Sequence, residues 1–247
     1  MNGHYGFSDF MDEFEPSYQN RNRNQFDLDI MANQGFNNTR SHDAIYAEME
    51  RKNIETDGAY QAKITGDVGE LKLSAILRSL PEYYHVIDNV LLLKKKGSTQ
   101  IDHIIVCPFG IFIIETKNHK GMIFGDDAGA VWTQVLKNGG HFKMYNPVHQ
   151  NIGHIAELSK QIRIPTNYMQ GILVFTSDFA NLDNVASSCC IVPDMLYGFI
   201  TSYNRQLFNN KQVWKIIKRI DAVNKDGYIN RQRHINYVNR IKDKRGW

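Results

Sequence analysis

The sequence predicts an α/β fold with a mixed sheet, in which a helix, three strands, a second helix and a further strand follow one another. Three observations predict this order. Apolar residues recur at helical spacing early in the domain, two apolar runs flank a four-residue turn, and a second helical stretch precedes a continuous apolar run. The short turn makes a hairpin, whereas a helix between strands makes a crossover that joins parallel strands.

The first helix is predicted in "DVGELKLSAILRSL", and the compact domain begins near Gly66. Asp67 suits the N-cap position, and Pro81 follows the last turn. The apolar residues of this stretch share one helical face: Val68, Leu71, Ala75, Ile76 and Leu80. This spacing indicates an amphipathic helix.

Three strands are predicted next, in "YYHVIDNVLLL", "QIDHIIV" and "IFIIETK". The basic turn "KKKGS" follows the first strand, and "CPFG" joins the second strand to the third. Pro followed by Phe, with Gly after them, suits a type I turn. The second and third strands are therefore expected to form an antiparallel hairpin.

The remaining elements begin with a loop that contains Trp132. It leads to a helix in "NPVHQNIGHIAELSKQI", with Asn146 as the predicted N-cap and Pro147 as the first helical residue. "GILVFT" is typical of a buried strand, "CCIV" is predicted as a further strand, and "PDMLYGFITSYN" as a helix. Residues 205–247 are expected to be helical and basic.

Uneven charge divides the chain into three predicted regions. Residues 1–60 hold 5 Lys/Arg and 11 Asp/Glu, are rich in Asn, and are expected to be largely disordered. Residues 61–200 form the predicted folded domain. Residues 201–247, with 12 Lys/Arg and 3 Asp/Glu, form a basic helical extension. Such asymmetry often accompanies a basic surface for a polyanion and an acidic tail, and the aromatic residues of the tail could dock a protein partner.

Composition excludes several classes of protein. The chain is 42% hydrophobic and 22% charged, and no apolar run approaches the roughly 20 residues of a membrane helix. The first residues have neither the basic start nor the apolar stretch of a secretory signal. The three cysteines match no disulfide framework or zinc pattern. We therefore expect a cytoplasmic protein with free thiols and no membrane partner; the oligomeric state is left open.

A pair of carboxylates marks the predicted hairpin. If "CPFG" is the turn, Asp102 lies opposite Glu115 and Gln100 lies opposite Lys117, all on one face. Opposed residues have Cβ atoms about 4.5–5.5 Å apart, so the two carboxylates repel each other unless something offsets the charge. A divalent cation does so, because Mg²⁺ is held by one or two carboxylates together with substrate phosphates. Lys117 would then lie beside the metal and stabilise developing negative charge.

Two alternatives remain open for this pair. Asp102 and Glu115 could lie at an exposed strand end with Lys117 as an ordinary ion-pair partner, since surface ion pairs are common and weak. A turn with an odd number of residues would also shift the register and separate the pair.

Five segments in this order resemble the nuclease-related domain (NERD) family of the PD-(D/E)xK, restriction-endonuclease-like superfamily. They are "GDVGE", "TQIDHIIV", "GIFIIETKNHKG", "WTQ" and "NPVHQNIGHIAEL". The resemblance spans roughly Gly66 to Phe175. It implies a restriction-endonuclease-like αβββαβ core and metal-dependent hydrolysis of phosphodiester bonds. Ile101 stands where the superfamily name has proline, which many members lack.

The resemblance also implies roles for individual residues. Asp102 and Glu115 would be ligands of Mg²⁺ or Mn²⁺, with Glu70 of the first helix contacting the metal or its water, and Lys117 would be the catalytic lysine. Glu70 follows Asp67 by three residues, so it could instead complete a capping box. Gln150 matches a polar residue of the later helix that contacts the site or the nucleic acid.

Further residues are candidates for contacts with the substrate. Gln150 and His154 are four residues apart and share a helical face, which could contact nucleic acid or be solvated. His119 follows the third strand and could touch phosphate. The complete set of predicted substrate contacts is Lys94, Lys95, Lys96, Gln100, His119, Gln134, Gln150 and His154. The lysines form an exposed turn that could contact phosphates.

The predicted function is that of a metal-dependent nuclease with DNA favoured over RNA, the latter preference resting on the resemblance alone. Two rival interpretations remain. The chain could be a catalytically weak nucleic-acid-binding module on a nuclease fold, which would show no metal dependence. It could also be a regulatory or protein-interaction protein, for which the acidic, aromatic N-terminus is the supporting feature.

Overall fold

The computed structural model describes residues 72–245. The expectations for Asp67, Glu70 and the first 60 residues lie outside this range. The described strands and helices, in chain order, are β1 (His85–Leu93), β2 (Ser98–Cys107), β3 (Gly110–Lys117), β4 (Gly121–Asp126), β5 (Val131–Val135), β6 (His141–Tyr145), β7 (Met169–Phe175), β8 (Ala180–Ala186) and β9 (Cys190–Ile191), with helices α1 (72–78), α2 (Pro147–Ile162), α3 (Pro193–Thr201), α4 (Asn210–Val223) and α5 (Tyr228–Arg245).

The main sheet is mixed and has the strand order β1-β2-β3-β7-β9. Strands β1, β2 and β3 are antiparallel neighbours, whereas β7 lies parallel to β3 and β9 parallel to β7. Helix α2 supplies the crossover between β3 and β7. The predicted αβββαβ order and the restriction-endonuclease-like fold class are therefore confirmed.

A second sheet replaces the predicted loop around Trp132. Its strand order is β6-β5-β4-β8, and the loop prediction was wrong. The strands β4, β5 and β6 are only five or six residues long, so their alternation is too short to stand out. Trp132 is fully buried, stacks on Phe175 of the main sheet and donates its indole N–H to the carbonyl of Asp126.

Helix α2 starts where the sequence predicts. The side chain of Asn146 accepts a hydrogen bond from Val148 N, and Pro147 occupies the first turn. The Asn146 amide also donates to the carbonyls of Asp126 and Gly129, so the cap ties α2 to the second sheet. These contacts set the start of α2 and hence the placement of the side chains on its first turns.

Buried Asn151 anchors α2 to the main sheet. Its amide nitrogen donates to the carbonyls of Ile113 in β3 and Ile172 in β7, at 3.0 and 3.2 Å. A Cβ at Gly171 would press on this amide, so a glycine there lets the helix approach closely. The helix therefore bridges the two parallel strands that end nearest to the predicted site.

The C-terminal helices confirm the helical prediction for this part of the chain. Helix α4 buries its predicted apolar face: Val213, Ile216, Ile217 and Ile220. Asn209 and Gln212 form a capping box at its start. Within the described part of the chain, no helix is both long enough and apolar enough to cross a membrane. Cys107, Cys189 and Cys190 are free thiols, as expected.

Candidate active site

The candidate site lies where β2 and β3 separate. Their predicted register is confirmed from Cys107–Gly110 to His103–Ile114, where the ladder ends. Beyond it, the carboxylate of Asp102 turns into the gap, and its Oδ2 accepts hydrogen bonds from the backbone N–H of Thr116 at 2.9 Å and the hydroxyl of Thr116 at 2.7 Å. A side-chain carboxylate thus replaces the next backbone pairing.

This separation corrects part of the predicted pairing. The ladder does not extend to Asp102–Glu115 or to Gln100–Lys117. Gln100 pairs instead with Leu91 of β1, and its amide donates to Asn89 at 3.1 Å. Gln100 is therefore engaged with β1 on the side away from β3.

Beyond Ile114, strand β3 continues alongside β7. Glu115 is in register with Leu173, and Lys117 with Phe175. Because β3 and β7 are parallel, their carboxyl ends meet at one edge of the sheet, the edge at which α/β proteins bind ligands. Glu115 and Lys117 are two residues apart and so share one face of β3 at this edge.

Glu115, Lys117 and Gln150 form a closed set of hydrogen bonds. The ammonium of Lys117 donates to Glu115 Oε1 at 2.5 Å and to Gln150 Oε1 at 3.0 Å. The amide of Gln150 donates to the same Glu115 Oε1 at 2.6 Å. The first turns of α2 therefore hold both charged groups of β3 in one arrangement.

His154 lies one turn further along α2 and contacts the second oxygen of Glu115. Its Nε2 lies 3.1 Å from Glu115 Oε2, and its Nδ1 lies 2.9 Å from the hydroxyl of Thr99. His154 is only 3% exposed. The contact with Oε2 has the distance of an ion pair without the alignment of a hydrogen bond, so Oε2 is buried and accepts no hydrogen bond within the described residues.

The two carboxylates have pKa values shifted in opposite directions. Burial raises the pKa of Asp102, and the negative charge of Glu115 raises it further, against the hydrogen bonds from Thr116. Burial also opposes ionisation of Glu115, but the charge of Lys117 and the contact with His154 outweigh it and lower the pKa of Glu115. Groups with shifted pKa values that converge in one place are typical of functional sites.

The donor set at this edge fits a hard divalent cation. Glu115 Oε2 lacks an aligned hydrogen-bond donor within the described residues, and both hydrogen bonds from Thr116 to Asp102 are accepted by Oδ2 rather than Oδ1. Mg²⁺ prefers oxygen ligands and is often held by one or two carboxylates with water and phosphate completing the shell. Among residues 72–245, no group of three or more His, Cys, Asp or Glu side chains could hold a metal.

Two predicted substrate contacts border this cluster. Burial lowers the pKa of His119, the charge of Lys117 lowers it further, and the neighbouring side chain of Gln134 opposes this shift. The amide of Gln134 also donates to the carbonyl of Lys120 at 2.7 Å. The start of the second sheet therefore forms one wall beside Lys117.

The lysine turn does not join the hydrogen-bonded cluster. Lys94, Lys95 and Lys96 are exposed between β1 and β2. Two residues that do join it, Thr99 and Thr116, were missed in the sequence. Thr99 stands among other polar residues at the start of β2, and Thr116 lies near the end of β3. Their partners come from α2 and from the separation of β2 and β3, which the spacing of residues in the sequence does not predict.

Residues 65–176 match the family described as the nuclease-related domain, NERD. This range contains every residue of the cluster, from Thr99 to His154. Over these residues the chain is therefore similar to nuclease-related domains of the restriction-endonuclease-like superfamily.

The chain is also similar to an uncharacterized protein of Bacillus anthracis, with 41% identity over 99 residues. The aligned part covers 39% of this chain and 46% of the relative, so the chain spans less than half of the relative's length. No solved structure matches the chain.

Proposed function

We propose that the protein is a metal-dependent nuclease that hydrolyses phosphodiester bonds in nucleic acid, with DNA favoured over RNA. The observation that carries this proposal is the state of Glu115. One of its oxygens is bound by Lys117 and Gln150. The other is buried near the carboxylate of Asp102 and contacts His154 Nε2 at 3.1 Å without the alignment of a hydrogen bond. A cation would satisfy this oxygen and offset the repulsion between the two carboxylates, because a buried acceptor without an aligned donor costs about 1–3 kcal/mol.

Asp102 Oδ1 and Glu115 Oε2 would hold the cation, Mg²⁺ or Mn²⁺, and Glu70 would be a further contact by resemblance. Bound there, the cation would polarise the scissile phosphate and lower the pKa of a coordinated water. The remaining roles belong to the chain. Thr116 holds Asp102 Oδ2 by two hydrogen bonds, so the orientation of the carboxylate is fixed.

Lys117 is the proposed source of positive charge at the reacting phosphate. The Lys117 side chain is 18% exposed, so it is partly open to a substrate while Glu115 and Gln150 hold its ammonium in place. In this position it stabilises the negative charge that develops on the phosphate oxygens and orients the attacking water. Hydrolysis in line with the leaving oxygen would give a 5′-phosphate product, as the resemblance implies.

The proposed setting is the cytoplasm, because the three cysteines are free thiols and reducing compartments keep them so. The acidic, aromatic residues 1–40 are proposed to dock a protein partner or to restrain the site by covering basic surface.

The test is cleavage of supercoiled plasmid and of end-labelled single strands in Mg²⁺, Mn²⁺ or EDTA. We expect metal-dependent cutting by the wild type and a loss of at least about 10²–10³-fold in Asp102→Asn and Lys117→Met, the size typical of removing a group that stabilises transition-state charge. Lys120→Met is the matched control, because Lys120 is exposed three residues further on.

Two results would contradict the proposal. Cutting that persists in EDTA would show that hydrolysis does not depend on a metal. Full activity in Asp102→Asn and Lys117→Met would show that the active site lies elsewhere in the protein. A well-folded wild type that binds DNA without cutting it would favour the catalytically weak binding module.

A further inference from the structure

Helix α5 lies against the turn between β1 and β2, close to the candidate site. The hydroxyl of Ser98 and His234 Nδ1 are 2.9 Å apart. The ring of Tyr237 packs directly on Gly97, where an added Cβ would overlap the ring. Gly97 also has a φ of 83°, which favours glycine. The turn and the helix therefore fit each other at two neighbouring residues.

The chain that leads into α5 is bound to the edge of the main sheet. Strand β1 is an edge strand, and its Leu91 N–H donates to the side chain of Asn224 at 3.0 Å. The N–H of Lys225 donates to the carbonyl of Leu91 at 2.9 Å. These bonds satisfy an exposed strand edge and set where α5 begins.

Contacts connect α5 to the catalytic cluster. Ser98 contacts His234, and the next residue, Thr99, is hydrogen-bonded to His154, which touches Glu115. Burial lowers the pKa of His234, and the neighbouring His154, Arg231 and Lys94 lower it further. The turn, α5 and the catalytic cluster are thus within electrostatic range of one another.

The outward surface of this assembly is basic. Lys94, Lys95, Lys96, Arg233 and Arg240 are exposed and make no ion pair within the described residues. We call these five residues the cationic arm. Helix α5 is mostly polar and has no apolar stripe, with Ile229 and Ile235 exposed, so it does not gain its stability from burying an apolar face. Unpaired cations held in one place by specific contacts are suited to a polyanion.

We propose that the cationic arm binds the backbone phosphates of the nucleic-acid substrate next to the bond that is cut at Glu115 and Lys117. The proposal deepens the proposed function and rests on it for the identity of the substrate. It makes the C-terminal helix part of the substrate-binding surface. A duplex carries one negative charge per ~1.7 Å along its axis, so a strand that reaches the cluster would pass several phosphates across the turn and α5.

The experiment measures binding of a fluorescent 30-base-pair DNA duplex in EDTA, between about 50 and 200 mM salt. The test variant is Lys95→Ala with Arg233→Ala, because both side chains are exposed and neither makes a hydrogen bond or ion pair within the described residues. The control is Lys211→Ala, which removes an exposed lysine from the first turn of α4. Helix α4 starts beside Pro108, at the end of β2 opposite the Gly97 turn, so Lys211 lies far from the cationic arm.

The expected result is a smaller salt dependence in the test variant alone. Each phosphate contact contributes about 0.9 to the slope of log K against log salt, so two lost contacts lower it by about 1.8. The wild type then loses about tenfold more affinity than the test variant over this salt range. Equal slopes in all three proteins, equal changes in both variants, or no binding by the wild type at low salt would overturn the proposal.

Cleavage supplies the second readout and separates the two proposals. If the wild type cuts DNA, the test variant should have a KM raised several-fold and an unchanged kcat at saturating DNA. A loss confined to kcat would overturn the proposal that the cationic arm binds the substrate. If the wild type cuts no DNA in either Mg²⁺ or Mn²⁺, the proposed nuclease function fails. The binding measurement in EDTA still tests whether the cationic arm binds DNA.

Discussion

The two ends of the β2–β3 hairpin are built from the same strands but differ in strand pairing, burial and polarity. At the turn end, Cys107 pairs with Gly110 and the ladder is regular, with Ile104, Ile113 and their neighbours fully buried. At the open end the strands separate, and Asp102, Glu115 and Lys117 occupy the gap and the sheet edge. One end is an apolar core and the other is a polar cluster, although the two ends are only about five residues apart along each strand.

This difference indicates that the turn end contributes mainly to stability and the open end mainly to function. Burial of branched apolar side chains stabilises the turn end by about 1.5–3 kcal/mol for each fully buried residue. At the open end, two carboxylates are brought together although burial opposes their ionisation. Charges gathered at such a cost are expected to serve binding or catalysis, so changes at the two ends should have opposite consequences.

The largest expected effect on stability is at the turn end. Ile113→Ala should lower the free energy of unfolding by about 2–5 kcal/mol, because it leaves a cavity in a fully buried position. Urea denaturation followed by circular dichroism measures it, with Ile152→Ala, at a position 56% exposed, as the control expected to change little. Activity per folded molecule should be retained. A loss of activity in folded Ile113→Ala would show that the two ends are not independent.

A smaller effect, on the rate of cleavage, is expected from Thr99. It lies at the open end but reaches Glu115 only through His154. Thr99→Val removes the hydroxyl that holds His154 Nδ1 and should lower kcat about tenfold, equivalent to about 1.4 kcal/mol, with KM unchanged. Thr99→Ser keeps the hydroxyl and should restore most of the rate. Steady-state cleavage kinetics measure both variants, and an equal loss in the two would assign Thr99 a packing role instead.

The smallest expected effect is a gain in stability at Asp102. Asp102→Asn keeps an oxygen for Thr116 and removes a charge that the fold disfavours, so the free energy of unfolding should rise by about 0.5–2 kcal/mol in EDTA. Because the pKa of Asp102 is raised by folding, its ionisation destabilises the native state only above the unfolded pKa of about 3.9.

The pH dependence tests this interpretation of Asp102. The gap between Asp102→Asn and the wild type should be absent at the lowest pH, open as pH rises through the pKa of folded Asp102, and stay constant above it. Urea denaturation across this pH range measures it. A variant less stable than the wild type at neutral pH would show that the carboxylate charge contributes to the fold.

Local patterns were sufficient for much of the fold. The "CPFG" turn set the hairpin register that the structure has from Cys107 to His103, and Asn146 capped α2 as predicted. The strands of the second sheet were missed because five or six residues of weak alternation resemble a loop. Trp132 was the one signal in that stretch, and its burial against Phe175 depends on residues more than 40 positions away.

The sequence by itself determined the order of the main elements, the spacing that puts Gln150 and His154 on one face of α2, and the presence of two acids and a lysine on neighbouring strands. These follow from periodicity within single elements. Only the tertiary structure decided that β2 and β3 part at Asp102, that one oxygen of Glu115 is left without a donor, and that α5 lies beside the site. Each of these depends on packing between distant segments, which no local spacing encodes.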